Sequence, residues 1–161
     1  MAHISNLSRQ PDSVEVVNEA IVAAYGSATE PHYGFSLRAY NRRPYQALID
    51  ELARDFVLED STDLNYEVAF TYAVRGQEAH YLLLSLVGPF YVLYRSFAEV
   101  ETPAKQLDTE EGKAILQVVG RHGLTRLDPI MLQQRTCLEH REGRTTVLMT
   151  VWEALFDYSQ L

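Results

Sequence analysis

The chain has 161 residues, 47% of them apolar, a net charge of −8 and a single cysteine, Cys137. That length fits one domain able to bury roughly two-thirds of its unfolded surface, so the fold needs no disulfide or metal staple. One cysteine excludes an intramolecular disulfide and a thiolate-rich zinc site, and it fits a reducing compartment.

The amino-terminal residues have no apolar core of signal-peptide length. The longest apolar stretch, Tyr81 to Tyr94, is broken by Ser85, Gly88 and Pro89, so it is too interrupted to span a bilayer. The expected location is therefore the cytoplasm. The acids are unevenly spread: residues 1–118 hold 17 acids and 9 bases, residues 119–161 five of each. The densest run, Asp50 to Glu67, has seven acids and one base, Arg54. Such a field repels nucleic acid and anionic lipid and favours a basic protein partner.

A first helix is expected over 13–25, capped by Asp12, with Glu15 at capping-box spacing. Val14, Val17, Ile21, Ala24 and Tyr25 form its apolar stripe, and Gly26 stops it. Residues 27–43 read as irregular and carry the basic group Arg38, Arg42 and Arg43. Pro44 opens a second helix with the stripe Tyr45, Leu48, Ile49, Leu52 and Phe56, which the acidic run from Glu59 ends. Alternation from Leu64 to Val74 predicts a strand with one buried face. A turn at Arg75–Glu78 leads to a strand over 79–87, apolar on both faces, and Gly88-Pro89 to a third over 90–97. Asp108 or Thr109 caps a helix that ends at Gly120–Gly123. After Asp128-Pro129 a hairpin is expected, 131–140 and 145–152 about a turn at Arg141–Arg144. Residues 153–158 fit either a strand extension or a last helical turn.

The order predicts one α+β domain over 1–161: an N-terminal helix and loop (1–43), then a core (44–161). The core is a five-stranded antiparallel sheet, meander plus C-terminal hairpin, with helices packed mainly on one face.

Motifs for chemistry are absent. The histidines, His3, His32, His80, His122 and His140, never fall at i, i+4 on one helix, and Cys137 and His140 would point to opposite faces of a strand. No nucleophile elbow, phosphate-binding glycine motif or dinucleotide fingerprint occurs. Ser85 reads as a satisfied core hydroxyl and Cys137 as a small hydrophobe. Glu67 and, if the last strand runs beyond Trp152, Glu153 are acids within predicted strands, so an acid–base pocket requires them, with His80, to converge. The short basic run Arg38–Arg43 with Tyr40 is the only nucleic-acid-like feature, and the net charge opposes it. No cofactor or metal is expected.

Eight of the 17 aromatics lie between Tyr66 and Phe97. A sheet covered on one face leaves part of this aromatic set as a contact patch, unless the N-terminal helix and the 27–43 loop cover it. The expected partner-binding residues are therefore Asp50, Glu51, Asp55, Glu59, Asp60 and Asp63, with Tyr91 and Tyr94 as aromatic anchors.

From Pro44 to Tyr158 the helix–meander–helix–hairpin order resembles type III secretion chaperones, which are small, acidic and commonly dimeric and bind extended effector segments. Size, acidity and lack of catalytic motifs also make the chain similar to bacterial immunity proteins. That resemblance implies a non-enzymatic monomer or homodimer that neutralises a basic toxin. The immunity reading leads, the chaperone is its alternative, and a small-ligand or hydrolytic domain stands third.

Overall fold

The computed structural model describes residues 13–95 and 109–159. Its helices are α1 (Val14–Tyr25), α2 (Phe35–Arg42), α3 (Gln46–Leu52), α4 (Glu110–Arg121), α5 (Pro129–Leu132) and α6 (Val151–Leu155). Its strands are β1 (Val57–Asp60), β2 (Ala69–Arg75), β3 (Ala79–Ser85), β4 (Phe90–Tyr94), β5 (Thr125–Arg126), β6 (Arg135–Glu142) and β7 (Thr145–Thr150). The chain is α+β, as expected, but the sheet is mixed. Its order is β1-β2-β3-β4-β5, antiparallel from β1 to β4 and parallel between β4 and β5. The helix α4 carries the chain back to the β4 edge in the same direction, which makes the last pairing parallel. Thr125 and Leu127 donate their amides to Pro89 O and Tyr91 O there.

The C-terminal hairpin does not extend that sheet. The strands β6 and β7 form their own two-stranded ribbon. The outer edge of β6 is occupied: Cys137 N donates to Asn18 Oδ1 of α1, and Glu139 N to Ala28 O. The ribbon starts at Arg135 because Asp128 accepts from Met131 N and Pro129 opens the turn of α5.

Local signals explain most of the helices. In α1 the buried stripe is Val17, Ile21 and Tyr25, and Gly26 ends it at φ 77, a left-handed conformation that glycine adopts without strain. The expected cap Asp12 lies outside the described residues, as do Asp108 and the 96–97 end of the third strand. Thr109 caps α4 by accepting from Gly112 N. Thr150 and Glu153 form a reciprocal capping box, so residues 151–155 are helix and not a continuation of β7.

Three stretches differ from the periodicity reading. Residues 35–42, expected to be irregular, form α2, which has no side-chain cap and buries only Phe35. The second predicted helix stops at Leu52, and Val57–Asp60 pairs as an edge strand with Asp60↔Tyr72 at its far end. The alternation from Leu64 overran its strand: β2 begins at Ala69, and Glu67 forms only an isolated bridge to Asp157.

Helices cover both faces of the sheet, contrary to expectation. Register sets Phe70, Tyr72, His80, Leu82, Leu84, Tyr91 and Leu93 on one face. Tyr40 of α2 stacks on Phe70 at 5.1 Å, Tyr45 packs edge-on to the same ring at 6.1 Å, and Glu111 of α4 holds the β2–β3 turn. Ala69, Thr71, Tyr81, Leu83, Ser85, Val92 and Tyr94 take the other face. There Ser85 Oγ donates to Leu155 O of α6, and Tyr25 of α1 donates to Ala154 O, both at 2.7 Å. Tyr45 adds a tie across the sheet end by donating to Ser85 O and Gly88 O, and burial pushes its pKa up to about 12. Replacing Tyr45→Phe leaves both carbonyls short of this donor; the expected cost is about 1–3 kcal/mol in urea unfolding with the slope unchanged.

Candidate functional site

The expected contact acids fall on α3, β1 and the connection that follows, and they differ in what surrounds them. Asp50 and Asp55 are exposed, and neither forms an ion pair among the described residues. Asp50 accepts only from Gln46 Nε2, at 2.8 Å. Glu59 meets Arg75 at 3.1 Å and Asp60 meets Arg43 at 3.7 Å, both in solvent-exposed pairs. The Arg43 guanidinium also lies over the Tyr40 ring at 4.4 Å, so it is held in place from two sides. Asp63 is committed to its own turn, accepting from the backbone and side-chain amides of Asn65.

Glu51 is engaged within the chain: Arg121 donates to it and His122 Nε2 lies 2.7 Å away, which ties α3 to α4. These hydrogen bonds, Arg121 first, hold its carboxyl below the usual range. Tyr91 and Tyr94 are not surface anchors, being 1% and 7% exposed. Tyr91 lies on the Phe70 face of the sheet. Tyr94 lies on the opposite face near Glu67 and Asp157, its pKa raised chiefly by burial.

The groups that would have built an acid–base pocket lie apart. Glu153 is spent on the amide of Thr150. Glu67 accepts from Asp63 N beside Thr71 and Tyr94, and burial raises its pKa. His80 sits on the other face, fully buried. Among the described residues no cluster of three or more metal-binding side chains occurs. A shallow cleft of ≈ 340 Å³ lies between the 29–33 loop and the end of β6, lined by Glu30, Glu139, His140 and Arg141 among others. No expected contact residue borders it.

What sequence reasoning missed is the β1 edge itself. The strand is short, its acids were read as a helix terminator, and only the Val57-Leu58 pair hinted at an extended segment. The outer side of β1 has no strand partner among the described residues, and Val57 is 69% exposed. Comparison with family models, curated proteins and solved structures returns no match.

His80 adds a pH dependence independent of any partner. Both ring nitrogens are buried without a hydrogen-bond partner among the described residues. Burial lowers its pKa below 6.5, partly opposed by Glu111 and Glu78, while Arg95 lowers it further. The folded state therefore binds fewer protons than the unfolded chain. Stability is full above pH 6.5 and declines as pH falls toward the folded-state pKa. Replacing His80→Leu should flatten the decline in unfolding free energy as pH falls below 6.5, measured by urea titration at stepped pH. The lowered carboxyls of Glu51 and Glu111 act only below 4.5.

Proposed function

We propose that this chain is a non-enzymatic protein-binding module that meets a basic partner through the α3–β1 surface, and that it neutralises a bacterial toxin in the cytoplasm. The observation that carries this reading is the uneven neutralisation of the acids. Asp50 and Asp55 are exposed and have no ion-pair partner among the described residues, and Val57, two positions after Asp55, is exposed on an edge strand that has no outer partner among them. Unpaired carboxylates around a small apolar strip supply electrostatic attraction and a desolvated contact in one place. The separation of Glu67, His80 and Glu153 favours binding over a hydrolytic pocket built from those groups. The chaperone alternative drew on a hairpin continuing the sheet; the separate β6–β7 ribbon leaves that likeness with less support.

The test uses an inactivated form of the protein encoded beside this chain's gene. Association measured by stopped flow should slow about tenfold for Asp50→Lys with Asp55→Lys at low salt, and the difference should shrink near physiological ionic strength. A neighbour that is neither bound nor neutralised refutes the toxin assignment. A bound neighbour whose on-rate ignores both substitutions moves the contact elsewhere.

A further inference from the structure

The direction of the free backbone groups on β1 follows from the ladder. Ser61 N donates to Thr71 O, so Ser61↔Thr71 is a bonded pair. The register continues through Glu59↔Ala73 and Val57↔Arg75, and bonded pairs alternate in an antiparallel ladder. The β2–β3 ladder agrees: Leu86 N donates to Val68 O, which turns the backbones of residues 70, 72 and 74 toward β3 and those of 71, 73 and 75 toward β1. Val57 and Glu59 therefore bond inward, while the N–H and C=O of Leu58 and Asp60 face outward.

The side chains repeat one order on both sides of this edge. Val57 and Glu59 share one face, Leu58 and Asp60 the other, each an apolar residue followed two positions on by an acid. The geometry points to β1 as a docking edge for an extended, basic segment of a partner protein. That segment adds antiparallel to β1, with two basic residues opposite Asp60 and Glu59 followed by two apolar residues opposite Leu58 and Val57. This mode rests on the proposal above that the partner is basic. The Glu59–Arg75 and Asp60–Arg43 pairs do not block it, because exposed ion pairs are weak and each carboxylate keeps solvent-facing room for a second cation. A second copy is the wrong occupant. A two-fold that pairs both outward residues sets Glu59 opposite Glu59, and like charges directly opposed destabilise a ladder.

The probe is a synthetic peptide carrying Lys-Lys-Val-Val between short glycine–serine flanks, with a Val-Lys-Lys-Val isomer as control, titrated into the full chain at low salt. Amide hydrogen exchange followed by NMR is the readout. Binding should slow exchange at Leu58 and Asp60 by about tenfold or more, with little change at Val57 and Glu59, whose amides already face β2. The substitution Leu58→Pro removes one outward N–H without cutting the ladder and should weaken the peptide about tenfold, with its folding checked by urea unfolding. Peptide binding without protection at Leu58 and Asp60 overturns edge docking but leaves a basic partner standing. Failure of both peptides to bind at low salt overturns the basic-partner reading as well. A homodimer whose interface protects the same two amides also overturns the proposal.

Discussion

The arrangement rests on one constraint: β2, β3 and β4 are apolar on both faces, so both faces must be covered. All five residues of β4 are buried, as is every residue of β2 except Arg75. A sheet of this kind cannot leave one side to solvent. The chain meets the requirement with α2, α3 and α4 on the Phe70 face and with α1, α6 and the chain around Glu67 on the Ser85 face. Buried hydroxyls then tie the layers at fixed points, Ser85 to Leu155, Tyr25 to Ala154 and Tyr45 to the end of β3. Each satisfies a main-chain carbonyl that burial would otherwise leave without a partner.

Where contact can occur follows from that covering. The aromatic rings of β2 and β4 are buried and serve packing, while Tyr81 of β3 is half-buried. One edge of the sheet, β1, has no outer strand partner among the described residues, and it is short and acidic. Charged residues on an edge discourage pairing with like copies. The same charges suit a strand of opposite sign, which is the segment proposed above. The acids around it are graded: Glu51 is consumed in holding α3 to α4, Glu59 and Asp60 share exposed cations, and Asp50 and Asp55 have no ion-pair partner among the described residues.

His80 carries a desolvation cost in this scheme. A fully buried imidazole without a hydrogen-bond partner among the described residues spends stability, and it lies near the point where Glu111 of α4 accepts from Gln77 N and Glu78 N. Gly76 belongs to the same turn: a Cβ there would approach Glu111 Oε1 within 2.3 Å. The α4 helix is thus fastened to the sheet by one carboxylate at a glycine-containing turn beside a buried ionisable ring.

The meander, α1, α4 and the glycine and proline stops were legible because they depend on local periodicity and capping, which neighbouring residues set by themselves. The final helix, left open between strand extension and helical turn by its apolar pattern, is set by the Thr150–Glu153 capping box. The acidic character of α3–β1 was equally plain from residue counts. Tertiary structure alone decided the rest. Residues 35–42 became helical without a strong cap, β6 was drawn away from the sheet by Asn18 and Ala28, and the four residues of β1 took strand geometry because β2 offered an unfilled edge. It also decided which carboxylates are spent internally, since Arg121 and Arg75 reach Glu51 and Glu59 across 70 and 16 positions of sequence. Periodicity reports which side of an element is apolar; it carries no record of what lies on the far side of a strand, and burial on both faces is settled by that.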